Sequence, residues 1–202
     1  MTIEPIDNGR VYRFLYRIST LGPEGTDSER AAKYFGSRLW RPGHYEHGPE
    51  WHRRAFPEMY EDPVRIDLRD TFEEALEEVR QQRSHFAIVP AAYNNLFRLH
   101  CEYRDLDIWQ TFPLATKEMV LAKRSETNGI KTVALHPSTD YLAPEGMKKL
   151  YIPSKPLCVE AVVNREADAV IGSIDVIEQH ELEIMESFGE IPMTWEVFRR
   201  RR

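Results

Sequence analysis

Two cysteines, Cys101 and Cys158, in a chain of 202 residues are too few for a disulfide framework, and their surroundings match no metal-ligand spacing. Long apolar runs are lacking too, so no segment reaches the length of a membrane-spanning helix. Positive charge is in deficit: 27 lysines and arginines face 33 aspartates and glutamates, a formal net charge of −6. Such a field repels nucleic acid and anionic membrane. The one dense basic run, Arg199 to Arg202, reads as a solvated tail. An anionic ligand must therefore be drawn in by local donors. Glu4 and Asp7 stand where an export signal carries positive charge, and no apolar stretch follows them. The expectation is a cytoplasmic protein with reduced thiols, without nucleic-acid or membrane partners. Internal repeats and low-complexity tracts are also absent.

What is there begins with Thr20 to Ala32, TLGPEGTDSERAA. Arg17 to Leu21 reads as a strand. Gly22, Pro23 and Gly25 break the chain, and Thr26, Asp27 and Ser28 are residue types whose side-chain oxygens cap a helix start. The helix that follows sets Ala31, Ala32 and Phe35 on one face. A strand, a tight turn and a helix N-terminus aim backbone N–H groups at one spot, and that spot suits a carboxylate or phosphate. A capped turn with no ligand is the plainer alternative.

Arg38 to Pro63 lacks periodicity and is rich in proline, histidine and aromatic residues. His44, His47 and His52 lie there near Glu46 and Glu50, but their spacing fits no established metal pattern. A lid, or a contact with a second subunit through Trp40, Tyr45, Trp51 and Phe56, is the preferred reading, and homodimerisation is left open. Val64 to Leu68 alternates as a strand. Asp70 caps a helix from Thr71 to about Gln82, and Phe86 to Val89 is a strand ending at Pro90. These form a βαβ unit, which implies parallel strands. Tyr93, Asn94 and Asn95 follow. Ile108 to Phe112 and Leu114 to Ala122 read as strands of a second sheet. Thr132 to Leu135 is a strand ending at His136-Pro137-Ser138. A helix over about Tyr141 to Leu150, a strand around Leu157 and a helix over Glu160 to Glu166 come next. Ala169 to Ile171 is a buried strand ending at Gly172-Ser173, then a helix from Ile174 to His180, then strands over Glu183 to Ser187 and Thr194 to Phe198. Alternating strands and helices define an α/β fold. Ligands of open α/β sheets bind beyond the carboxyl ends of the strands. That rule selects Gly22 to Ser28, Pro90 to Asn95, His136 to Thr139, and Gly172-Ser173, with convergence on one cleft as the expectation.

These four stretches, in this order, resemble the prephenate dehydratase family. LGPEGTDSERAA is similar to its Gly-Pro-Glu-Gly-Thr segment, HFAIVPAAYNN stands in the place of Val-Val-Pro-Ile-Glu-Asn-Ser, VALHPS resembles its Ser-His-Pro segment, and EADAVIGS its Ala-Ala-Ile-Gly-Ser segment. The resemblance runs from about Ile18 to Phe198. It implies a fold like that of periplasmic binding proteins, two α/β lobes with the site in the cleft between them. Lobe one is expected over residues 1–90 and 188–202 and lobe two over 91–187, with no regulatory ACT domain. The family's Asn-x-Thr-Arg-Phe segment is altered here to IPMTWEVF: Thr194 is retained, Trp195 replaces the arginine and Glu196 the phenylalanine. A branch of the family, the prephenate decarboxylases of antibiotic and peptide natural-product pathways such as that of bacilysin, resembles this chain in length and in its Ile-Pro-Met-(Ser/Thr)-Trp ending, matched by Ile191 to Trp195.

The resemblance implies a substrate, prephenate, that loses CO2 while keeping its ring hydroxyl, with neither metal nor organic cofactor. The enzyme must protonate a ring carbon as CO2 leaves and deny the hydroxyl an acid. His136 is the first candidate donor and Tyr93 the second; each has a plain alternative, as a strand-end hydrogen-bonding group and as a packing aromatic. Thr194 is the third catalytic candidate. The pyruvyl carboxylate is expected at the amides of Glu24 to Ser28, with Gly25, Thr26 and Ser28 as ligands and Glu24 orienting. Asn94, Asn95 and Ser138 are further ligands, and Trp195 is a donor-poor wall. The rivals are a dehydratase, which also expels water, and a domain that binds a small carboxylate without chemistry.

Overall fold

The computed structural model describes residues 16–39 and 64–201; the lid or subunit contact expected over 38–63, and its three histidines, fall almost wholly outside these residues. The chain divides into two compact units, one of Met1–Phe112 with Trp195–Arg202, the other of Pro113–Thr194.

Unit one holds strands β1 (Tyr16–Leu21), β2 (Val64–Arg69), β3 (Phe86–Pro90), β4 (Leu106–Pro113) and β10 (Thr194–Arg200), in the order β2-β1-β3-β10-β4. β1 is parallel to β2 and β3, whereas β10 runs antiparallel to β3 with Trp195 opposite Pro90 and Glu196 opposite Val89. Helices α1 (Asp27–Leu39), α2 (Phe72–Arg80) and α3 (Leu96–Glu102) cover it. Side-chain alternation along the strands separates two cores. Phe86 turns toward Phe35 of α1, ring centroids 5.3 Å apart. Ala87 and Val89 join Phe72, Ala75, Leu76 and Val79 of α2, Leu99 of α3 and Phe198 of β10. Complete burial of a ring such as Phe35 contributes about 2–3 kcal/mol. Gly36 lies where α1 crosses β2, and a Cβ there would stand 2.9 Å from Val64 Cγ1.

Unit two holds β5 (Glu118–Lys123), β6 (Thr132–Leu135), β7 (Lys148–Tyr151), β8 (Ala169–Ser173) and β9 (Glu183–Glu190), in the order β7-β6-β8-β5-β9, with helices α4 (Lys155–Val163) and α5 (Ile174–Gln179). β6 is parallel to β7 and β8, and β5 is antiparallel to β8 and β9. One face of the sheet (Val120, Ala122, Ala134, Val170) packs on α4 and α5 through Val159, Val162 and Ile177. The other (Met119, Leu121, Val133, Leu135, Ile171) is covered by Leu142, Ala143, Met147, Phe188 and Ile191.

The α/β class expected from the sequence is the observed one. Several local readings change. The boundaries expected at 90/91 and 187/188 fall at 112/113 and 194/195. Leu99, Tyr103 and Leu106 complete the core of unit one, β4 flanks β10 rather than joining a second sheet, and β9 pairs with β5 as far as Glu190. The helix expected over Tyr141 to Leu150 is a 3-10 turn, Pro137–Leu142, followed by strand β7. Pro144 in a helix interior would lose a hydrogen bond and clash with the preceding turn. The strand expected around Leu157 is the first turn of α4, whose N-cap Ser154 accepts from Leu157 N and whose Pro156 stands in the first turn, where proline is tolerated. Thr71, not Asp70, caps α2.

Candidate active site

Within unit one, the stretch after β1 and the stretch after β3 leave neighbouring parallel strands at the same end, and β10 starts at that end. Gly22 N donates to Arg69 O (2.8 Å), tying the first turn to the end of β2. Gly25 has a φ of +82°, a conformation that favours glycine. Thr26 Oγ accepts from Glu29 N (3.3 Å), and the Glu29 carboxylate accepts from Gly25 N (2.6 Å). This is the Thr-x-x-Glu pattern of a capping box, with the glutamate reaching the amide one residue before the capping threonine, and α2 repeats it: Thr71 accepts from Glu74 N, and Glu74 from Asp70 N, each at 3.1 Å. The Gly25 amide expected to receive a ligand carboxylate thus holds the chain's own. Glu24 and Gly25 are exposed, Thr26 is half-buried, and Ser28 is buried on the sheet side of α1.

Tyr93 is half-buried against Phe72, ring centroids 4.8 Å apart, with its hydroxyl 3.4 Å from the Glu73 carboxylate. Arg98 pairs with the same carboxylate at 3.3 Å. Asn94 and Asn95 are exposed, and Asn95 stands at the N-cap of α3 without a side-chain capping bond. Thr194 is exposed. Trp195 is 1% exposed, a core residue; alternation turns it and Val197 away from the α3 side, so it is no open wall. Glu196, on the α3 side, lies 2.8 Å from His100 Nε2.

In unit two, His136 and Ser173 end the adjacent parallel strands β6 and β8. His136 Nδ1 accepts from Ser138 N (3.2 Å) and lies 2.7 Å from Ser138 Oγ. Burial, followed by the positive charge of Lys155, holds the imidazole below its ordinary pKa. Lys117, just before β5, pairs with Asp175 of α5 at 2.5 Å. The segment before β10 is fixed against the segment before β5: Leu114 N donates to Met193 O (2.9 Å), Thr116 N to Ile191 O (2.8 Å), and Ile191 N to Thr116 Oγ (3.0 Å). Ile191 to Met193, matched by the resemblance, is therefore anchored backbone.

The four selected stretches thus come together two by two, one pair in each unit. Glu29, Glu73, Arg98, His100, Lys117 and Lys155 escaped the sequence reading. Only Glu29 had a readable signal, the Thr-x-x-Glu spacing; the others owe their roles to pairings across the fold. Among the described residues, no group of three or more His, Cys, Asp or Glu side chains is placed to hold a metal ion, and no helix is long and apolar enough to cross a membrane.

The fold is shared with prephenate dehydratases and with a periplasmic VFT2 domain. The chain superposes on the prephenate dehydratase of Arthrobacter aurescens, solved in complex with L-Phe, with a TM-score of 0.60 at 17% identity, over 92% of this chain and 61% of that one. The dehydratase of Staphylococcus aureus gives 0.52 at 13% identity, over 92% and 68%. The VFT2 domain of Bordetella pertussis BvgS gives 0.54 at 14%, over 92% and 80%. In sequence the chain is similar to prephenate decarboxylases: 26% identical over 194 residues to that of Bacillus subtilis and 27% over 194 residues to that of Bacillus amyloliquefaciens, each alignment covering 91% of this chain and 86% of the relative. The enzyme of Planktothrix agardhii is 26% identical over 196 residues, 91% and 88% of the two chains. No family model matches the chain.

Proposed function

We propose that this protein is a prephenate decarboxylase that does not aromatise its substrate, releasing CO2 and yielding dihydro-4-hydroxyphenylpyruvate. The observation that carries this reading is similarity to prephenate decarboxylases over 91% of the chain and 86–88% of theirs, on a fold shared with prephenate dehydratases. The bond between the ring and its carboxylate breaks, its electron pair passes into the diene, and a ring carbon takes up one proton as CO2 departs. The carbon–oxygen bond of the ring hydroxyl stays intact. No electrons enter or leave, so the step balances with a single proton donor.

Tyr93 is the favoured donor. Tyr93 carries an O–H donor, and its hydroxyl lies 3.4 Å from the Glu73 carboxylate, a partner that can replace the proton it gives up. His136 is less suited: its Nδ1 accepts from Ser138 N, and a lowered pKa keeps the imidazolium scarce at neutral pH. Asn94 and Asn95, which follow β3 directly after Tyr93, are assigned to hydrogen bonding of substrate oxygens. A place in antibiotic or peptide biosynthesis, and a cytoplasmic location, belong to the same reading.

The test is incubation of the purified protein with prephenate and no added cofactor, with the product weighed by mass spectrometry. Loss of CO2 alone is expected. Loss of CO2 and water together would make the protein a dehydratase, and unchanged prephenate would make it a binding domain.

A further inference from the structure

We infer that the outer edge of β4 is an interface between two copies of this chain: β4 of one copy pairs antiparallel with β4 of a second about a two-fold axis near Trp109, joining the two unit-one sheets. The inference is independent of the function proposed above.

Four strands end the two sheets, β2 and β4 in unit one and β7 and β9 in unit two. A terminal strand presents a row of backbone N–H and C=O groups, and proteins keep such edges apart with charge, brevity and bulges. Three of the four carry these guards. β2 has Arg65, Asp67 and Arg69 at alternate positions. β7 is four residues long and starts with Lys148 and Lys149. β9 carries Glu183, Glu186 and Glu190, and its register against β5 shifts between Met119 and Val120 and again between Leu121 and Ala122. β4 has no such guard. It is eight residues long, LDIWQTFP, with Asp107 as its sole charge, and Arg201 holds that carboxylate at 2.8 Å. Residues 108–111 are exposed, Ile108 at 44% and Trp109 at 37%, although the Trp109 ring is stacked on Phe86 at 5.0 Å. Among the described residues, no strand lies beyond β4.

The sequence of β4 suits a second β4 as its partner. Antiparallel pairing centred on Trp109 sets Ile108 opposite Gln110, Asp107 opposite Thr111 and Leu106 opposite Phe112. No charge then faces its like, and aromatic and β-branched side chains meet at the middle, the kind of cross-strand neighbours that stabilise a sheet. The same operation on β9 at full overlap sets Glu183 opposite Glu190, which repel. A charged peptide as partner would call for opposite charge along the edge, and β4 offers none. A two-fold contact of one strand with itself also closes at two copies and leaves no strand edge for a third.

Sedimentation equilibrium of the full chain tests this over about 5–500 µM, the range in which a small interface dissociates. A monomer–dimer equilibrium is expected. The double variant Ile108→Lys, Gln110→Lys puts lysine opposite lysine and is expected to raise the dimer Kd about 10-fold or more while keeping the far-UV circular dichroism of the parent. Its counterpart, Ile108→Glu, Gln110→Glu, is expected to be weakened in the same way. An equimolar mixture of the two is expected to dimerise again, because lysine then faces glutamate. If either double variant does not fold, Gln110→Lys alone, at an exposed position, carries the expectation of a weaker dimer. A parent that stays monomeric throughout the range overturns the inference and leaves the edge to a different partner. A lysine variant with a Kd within about twofold of the parent's overturns it too, since the dimer then forms through another surface. So does a lysine–glutamate mixture that stays monomeric.

Discussion

The two units are the same sheet drawn twice. β2-β1-β3-β10-β4 and β7-β6-β8-β5-β9 share one plan: a central strand, its two parallel neighbours, then an antiparallel strand beyond the third. The first central strand ends Leu21-Gly22-Pro23 and the second Leu135-His136-Pro137. Equivalent turns have nevertheless been put to opposite use. In unit one, Glu29 accepts from Gly25 N and completes a capping box, so the turn satisfies itself with its own carboxylate. In unit two, the histidine caps its own 3-10 turn through Nδ1 and lies under the charge of Lys155. The same strand-end turn is thus capped by a glutamate carboxylate in one unit and by a histidine ring in the other.

The largest expected effect that tests this contrast is on chemistry. Tyr93→Phe removes the proposed donor of unit one and is expected to lower kcat about 100-fold or more with little change in KM, read by steady-state turnover of prephenate. An equally large kcat loss in His136→Asn, with Tyr93→Phe fully active, would move the acid to unit two. Next comes stability. Phe35→Ala empties a buried site between α1 and the aromatic rings of Phe86 and Phe112 and is expected to cost about 3–5 kcal/mol in urea unfolding. A loss under about 1 kcal/mol would mean that this ring cluster is not the core it resembles. Glu29→Gln weakens the capping box and is expected to cost about 1 kcal/mol, roughly 2–4 °C in Tm, while leaving KM unchanged. A marked change in KM would show that the unit-one turn holds substrate after all.

Among the described residues, each unit carries one histidine that burial, aided by a cation, pushes below its ordinary pKa of 6.5: His85, with Arg17 as the cation, and His136, with Lys155. Both are neutral, folded or unfolded, well above pH 6.5 and contribute no pH dependence there. As pH falls through 6.5 the unfolded chain takes up protons that the folded chain resists, so stability drops and levels off once the folded pKa is passed. His85→Gln and His136→Gln should each flatten the fall of Tm between about pH 7 and 5. The smallest effect separates the thiols: Cys101 is exposed and Cys158 buried, with burial pushing the latter's pKa up to about 12. One thiol should react promptly with a thiol reagent in the native protein, and the second only on unfolding.

Much of this was legible in the sequence. Strand and helix periods placed β1, α1, β2, α2 and β3, and the rule that ligands gather at strand ends selected the turns after β1, β3, β6 and β8. Cap residues marked α1 and α2 to within a residue or two. What escaped was long-range or masked by composition. Glu196 and His100 lie 96 positions apart, and no local pattern links Lys155 to His136. Pro144 should have forbidden a helix over 141–150, and α4, apolar apart from Lys155 and Glu160, lacks the period that announces an amphipathic helix. Trp195 was given a role as a wall because of its place in a motif, yet strand alternation buries it. The duplicated plan was invisible because the matching turns share little more than a proline.

The most direct measurement is prephenate turnover in D2O followed by NMR. The account predicts a product that has lost CO2, keeps its carbinol proton and carries one solvent deuteron on a ring carbon. Aromatic resonances of phenylpyruvate, with no deuterium on the ring, would contradict it.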